Sequence, residues 1–224
     1  MAGGDRSRRR SRTLAVLWDL DGTLTDSVRF VVDTANHVIG RHGGRPLAFD
    51  EVGRMTGLPL ADIFRLAWPE LSDADAITYQ TEYRATYDEV AIPATKLYRG
   101  AITTLRAFRR AGIRQATVTG KRAADGERIL RGLGLRNEID AYLGGDSAAR
   151  PKPAPDLAQA AMAALGVEPA ESAVIGDTRT DMKMARAAGA RAIQVLWGYE
   201  TEQVPEADVA VRTWAELRER ILRP

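Results

Sequence analysis

The chain has 224 residues, 45% of them hydrophobic, and a formal charge of +2, which is enough for one full α/β core and a smaller second unit. It contains no cysteine, which excludes disulfides, thiolate metal sites and a cysteine nucleophile and leaves carboxylate, hydroxyl and oxygen-ligand chemistry. The positive charge is local: Arg6, Arg8, Arg9, Arg10 and Arg12 stand beside a single acid, Asp5, and the rest of the chain is slightly acidic. A short Arg/Ser/Gly run of this kind reads as a disordered leader over residues 1–12, so nucleic acid is not expected as the main ligand.

Residues Thr13–Trp18 are mostly apolar but too few for a signal-peptide core or a membrane span, so a soluble, cytoplasmic protein is expected. Leu14–Trp18 reads as a short buried strand. From Ser27 to Arg99 no strand pattern appears. One apolar stripe there joins Val31, Ala35, Val38 and Ile39, and another joins Tyr79, Tyr83, Tyr87 and Val90, both at helical spacing. The tyrosine stripe reads as bundle packing in preference to a ligand wall.

Beyond Arg99, strands alternate with helices. The strands are Gln115–Val118, Ala173–Ile175 and Arg191–Leu196. The helices lie around Ile102, Leu105 and Phe108, then at Ala123–Leu133, Leu157–Leu165 and Met182–Ala188, the last stopped by Gly189. This alternation implies an α/β fold, a Rossmann-like parallel sheet with helices on both faces. Residues 13–26 and 100–224 would form the core domain, with 27–99 inserted as an α-helical cap domain. Ligands bind at the carboxyl ends of such strands, so a unit inserted after the first strand would sit over the site as a lid.

Chemistry concentrates at those strand ends. Asp19-Leu20-Asp21-Gly22-Thr23 begins where the first strand stops, and Gly176-Asp177-Thr178-Arg179-Thr180-Asp181 begins where Ala173–Ile175 stops and opens a helix. Four carboxylates gathered on one edge either bind protons or need a cation. Magnesium, a hard ion that takes one or two carboxylates plus water and phosphate oxygens, suits them best. The opposite polarity comes from Thr119-Gly120-Lys121, a hydroxyl followed by free backbone N–H groups, and from Lys152, which stands between Pro151 and Pro153.

The order of these four segments resembles the haloacid dehalogenase superfamily with a helical cap, in its phosphoglycolate phosphatase and β-phosphoglucomutase-like branch. The motifs would be Asp19–Thr23, extended by Leu24-Thr25-Asp26-Ser27, then Thr119, Lys152 and Gly176–Asp181. Trp197-Gly198-Tyr199 is also similar to the segment after the last core strand in phosphoglycolate-phosphatase-like members. The resemblance implies that Asp19 is the nucleophile, forming an aspartyl-phosphate, and that Asp21 is the general acid and base. It also implies that Mg2+ is held by the Asp19 side chain, the Asp21 backbone carbonyl and Asp177, with Asp181 a direct ligand or one step removed. Thr119 and Lys152 would surround the phosphoryl oxygens. Gly22, Thr23, Gly120 and Lys121 would contact the substrate, as would Arg54 and, in the cap loop Met55–Asp62, Gly57.

Within that family, Asp21 argues against halide displacement, which has no alkoxide to protonate. A phosphonate-cleaving member would need a cap lysine, and none lies between residues 27 and 95. The expected activity is therefore a phosphoric monoester hydrolase acting on a small phosphorylated metabolite, as a monomer or homodimer. A sugar phosphomutase using the same motifs is the alternative, and a non-catalytic phosphate-ligand binding protein is the third reading. Arg54 and Arg65 could meet a substrate carboxylate or second phosphate.

Overall fold

The computed structural model describes residues 12–53, 55, 59–91 and 95–223. The main sheet has six parallel strands in the order β5-β4-β1-β6-β7-β8, where β1 is Ala15–Trp18, β4 Arg114–Val118, β5 Ala141–Leu143, β6 Ser172–Gly176, β7 Arg191–Val195 and β8 Val209–Val211. All four residues of β1 are buried, as a strand covered on both faces requires. Their alternation divides the core. Val16 and Trp18 pack with Leu105, Phe108, Leu130 and Leu217, while Ala15 and Leu17 pack with Leu157, Met162 and Met182. The helices that supply the first cluster are α5 (Ala101–Arg110), α6 (Ala123–Gly132) and α9 (Trp214–Leu222); those that supply the second are α7 (Asp156–Leu165) and α8 (Arg179–Ala188). Helix α8 ends at Gly189, whose φ of 77° is the left-handed cap conformation.

Between the first and second core strands lie α1 (Val28–Arg41), α2 (Phe49–Gly53), α3 (Leu60–Ala67) and α4 (Asp73–Thr86), the last continued by a π turn at Tyr87–Ala91. Val31, Ala35, Val38 and Ile39 of α1 meet Phe64 and Tyr83 in a third apolar cluster, separate from the two that flank the sheet. Tyr83 and Tyr87 stack at 5.6 Å, and Phe64 meets Tyr83 edge-on. Among the described residues no helix is long and apolar enough to cross a membrane.

Four strands escape the sequence pattern. Lys96–Leu97 (β3) falls inside the stretch read as purely helical and pairs antiparallel with Thr25–Asp26 (β2). This two-residue ribbon joins the points where the chain leaves and re-enters the sheet region. Two residues are too few to show any periodicity. β5 and β8 are edge strands of three residues each with mostly half-buried side chains, so neither carries a continuous apolar run.

Candidate active site

The register of the sheet brings the motif residues together. Trp18 of β1 lies opposite Thr117 of β4 on one side and Ile175 of β6 on the other. The residues just beyond these three positions include Asp19, Thr119 and Asp177. The site thus occupies the carboxyl edge where the chain turns from β1 to a strand on either side, the usual ligand crevice of an open parallel sheet. The Asp19 N–H donates to the Ile175 carbonyl at 2.9 Å, extending the ladder by one residue.

The chain then turns tightly over Leu20, whose carbonyl accepts from the N–H groups of Thr23, Leu24 and Thr25. Gly22 makes the turn possible, at φ 79°. A Cβ there would also lie 2.2 Å from Asp177 Oδ2, so both backbone conformation and close approach demand glycine. Thr23 is fully buried, and its hydroxyl donates to Asp177 Oδ1 at 3.1 Å. Gly22 and Thr23 therefore position Asp177 and lie outside the cavity lining, which differs from the substrate contact expected of them.

Lys152 is buried between two carboxylates, its Nζ donating to Asp19 Oδ1 at 2.9 Å and to Asp181 Oδ1 at 2.6 Å. The other Asp181 oxygen accepts from the Thr178 hydroxyl at 2.7 Å and from the Thr178 N–H, while Thr178 caps α8. Asp181 is thereby occupied as a helix cap and a lysine partner. Asp177 Oδ2 accepts the Tyr199 N–H at 2.6 Å. No group among the described residues donates to Asp19 Oδ2.

Burial pushes the Asp19 carboxyl up to about 7; Lys152 opposes the rise, and Asp181 and Asp21 add to it. Burial, then Asp19 and Asp181, hold Asp177 well above the ordinary carboxylate range. Burial pulls Lys152 down, but Asp181 and Asp19 more than offset this, so its pKa lies above the usual lysine value.

Carboxylate oxygens of Asp19, Asp177 and Asp181 lie within 4.8 Å of one another. With all three carboxylates ionised, the one lysine would leave an excess of two negative charges in a buried space, which is why burial raises Asp19 and Asp177. The all-oxygen donor set, the undonated Asp19 Oδ2 and that excess charge fit a hard divalent cation. The Asp21 carboxylate is absent from this group. It faces the other way, accepting from the Ser27 hydroxyl and lying 3.0 Å from Lys121 Nζ, so only its backbone carbonyl is left for the metal role.

Above these groups opens a cavity of about 360 Å3 lined by Asp19, Asp21, Thr119, Gly120, Lys121 and Lys152 on the sheet side. Lys121 Nζ donates to the Tyr87 hydroxyl at 3.0 Å and lies 4.1 Å from the centre of that ring. Tyr83 and Tyr87 line the cavity as well as packing in the bundle. Arg65 is held by Asp62 at 2.9 Å and Asp73 at 3.1 Å, away from the cavity. Arg54 and Gly57 lie outside the described residues.

Contacts not legible in the sequence are those of Ser27 with Asp21, of Arg84 and Gln80 with the cavity, and of Tyr199 with the helices above. The Tyr199 hydroxyl donates to the carbonyl of Asp50 at 2.8 Å, and its ring stacks on Phe49 at 5.7 Å.

Comparison with known proteins agrees with this geometry. Residues 16–195 match the family model of the haloacid dehalogenase-like hydrolases. A protein of Dickeya dadantii named "Probable phosphatase IndB" is 34% identical over 210 residues, covering 90% of each chain. A phosphoglycolate phosphatase of Rhodospirillum rubrum is 32% identical over 198 residues, covering 85% of this chain and 82% of its own. A hydrolase from Pseudomonas syringae superposes with a TM-score of 0.81 at 24% identity, over 94% of this chain and 98% of its own, a likeness of fold.

Proposed function

Because the chain belongs to the haloacid dehalogenase-like hydrolases and is a phosphoric monoester hydrolase of that family, we propose that it is a magnesium-dependent phosphatase acting through an aspartyl-phosphate on Asp19. Its substrate is a small phosphorylated metabolite, as for the phosphoglycolate phosphatases it resembles. The observation that carries this reading is the meeting of Asp19, Lys152, Asp177 and Asp181 within hydrogen-bonding or ligand distance beneath a cavity.

In this mechanism a carboxylate oxygen of Asp19 attacks phosphorus and the bond from phosphorus to the ester oxygen breaks. Asp21, beside Asp19 on the cavity wall, gives its proton to the leaving alkoxide. Water then attacks the phosphorus of the aspartyl-phosphate, Asp21 takes up its proton, and inorganic phosphate leaves with the Asp19 carboxylate restored. Thr119, the Gly120 N–H and Lys152 receive the phosphoryl oxygens as charge builds on them. Ser27 and Lys121 hold the Asp21 carboxylate in place between the two steps. Magnesium held by Asp19, Asp177 and the Asp21 carbonyl would balance the excess negative charge and polarise a phosphoryl oxygen.

We read residues 27–99 as a cap domain inserted into a core formed by 13–26 and 100–224. Its separate apolar cluster and the β2–β3 ribbon at its root support that division. Phosphate release from a panel of phosphate esters, with and without magnesium, tests the proposal against Asp19→Asn. Magnesium-dependent release that the substitution abolishes is expected. Transfer of phosphate between positions of a sugar phosphate, without release, would assign a mutase instead.

A further inference from the structure

The cavity over Asp19 is larger and less polar than a phosphoryl group requires. Its volume of about 360 Å3 corresponds to roughly a dozen waters at ~30 Å3 each and lies in the range of sites for small organic ligands. The apolar side chains on the wall opposite the sheet are Val31, Pro59, Leu60, Ile63, Tyr83 and Tyr87. A hydroxy acid of two carbons has little apolar surface to place against such a wall. An alkyl or aromatic body does, and its burial there is favourable.

Helix α4 gives the cavity a direction. Gln80, Tyr83, Arg84 and Tyr87 follow one another at spacings of three, one and three, so they share one face of the helix, and all four line the cavity. Tyr87 marks the reaction end, since it touches Lys121, which touches Asp21. Arg84 stands three residues away, about 4.5 Å along the helix axis.

Other charged groups at the cavity are already engaged. Arg122 pairs with Asp125, Asp88 pairs with Arg128, and Asp146 accepts the Ala123 N–H. Arg84 differs. It is half-buried, its guanidinium donates to the neutral Gln80 Oε1 at 3.2 Å, and among the described residues no carboxylate lies within ion-pairing distance of it. A half-buried guanidinium at a cavity wall with donors to spare is a receptor for an anion.

We infer that the substrate is a phosphate monoester whose alcohol part carries an apolar body and, beyond it, a carboxylate that Arg84 receives. This rests on the phosphatase reading of the same site and narrows its substrate class. The phosphate docks at Asp19 and Lys152, the body lies along the tyrosines, and Gln80 orients the guanidinium toward the far end. Asp88 and Asp125 do not repel the carboxylate strongly, because Arg128 and Arg122 neutralise them.

Two non-hydrolysable probes test this in magnesium buffer by calorimetry: 4-carboxybenzylphosphonate and benzylphosphonate. Wild-type protein should bind the carboxylated probe roughly tenfold or more tightly than the plain one. Arg84→Ala and Arg84→Gln should remove that preference, and Arg65→Ala should keep it. Equal binding of the two probes by the wild type, equal weakening of both by the Arg84 substitutions, or no binding of either overturns the inference. Turnover of the matching phosphate esters separates it from the broader reading. A carboxylate preference without phosphate release would sink the phosphatase and leave the Arg84 subsite standing; release without preference would do the reverse.

Discussion

Lys152 shows how one side chain can serve both stability and chemistry. It is 2% exposed and divides its charge between Asp19 and Asp181. Lys152→Ala should abolish measurable turnover and lower stability by about 3–5 kcal/mol, because it strands two buried carboxylates; denaturant unfolding beside an activity assay checks both. Lys183 is the control, exposed on α8; its alanine variant should stay within about 0.5 kcal/mol of wild type and keep full activity. Thr23→Val is a subtler case. It preserves shape but removes the hydrogen bond to Asp177, so weaker magnesium binding with an unchanged fold is expected, and calorimetric titration of the metal would reveal it. The acidic motifs were legible because they sit at the ends of apolar strands. The task of Thr23 was not, since its partner lies 154 residues away.

At the scale of elements, the loop after β7 ties the core to α2. Tyr199 donates its N–H to Asp177, while its hydroxyl reaches the carbonyl of Asp50. A Cβ on Gly53 would lie 1.4 Å from the Tyr199 ring, so α2 can pack there only with glycine at that position. Gly53→Ala should therefore push the tyrosine aside, and the expected result is a higher KM and weaker magnesium binding. Unchanged values for both would show that the loop and α2 move independently. Helices α1, α4 and α5 to α8 were readable from their apolar spacing, whereas α2, α3 and α9 were not. Neither was the match of Gly53 to Tyr199, because it depends on how two distant surfaces meet.

Across the whole molecule, the buried acids make stability depend on pH and on metal. Burial raises Asp19 to about 7 and also raises Asp177, whereas an unfolded aspartate titrates near 3.9. Between these values the folded state holds more protons than the unfolded one, so stability falls as pH rises through this window. In EDTA the Tm should drop between pH 5 and pH 8, by roughly 2–4 °C for each kcal/mol lost. Magnesium should raise Tm more at pH 8 than at pH 5. A Tm in EDTA that is flat across this range would contradict the burial of uncompensated charge.

The strand-and-helix alternation, the parallel sheet and the acidic strand ends could all be read from the chain, since each is set by neighbours within a few residues. Short edge strands could not, because they draw their order from the sheet they join. The same holds for Gln115, whose side chain is wholly buried and bonded to the Trp18 indole and to the carbonyls of Leu105 and Glu138. The shape of the cavity belongs to this second kind. Arg84 and Asp19 lie far apart in the chain and come to one cavity only through the packing of α4 over the sheet, so recognition of the substrate is written in contacts that no local pattern contains.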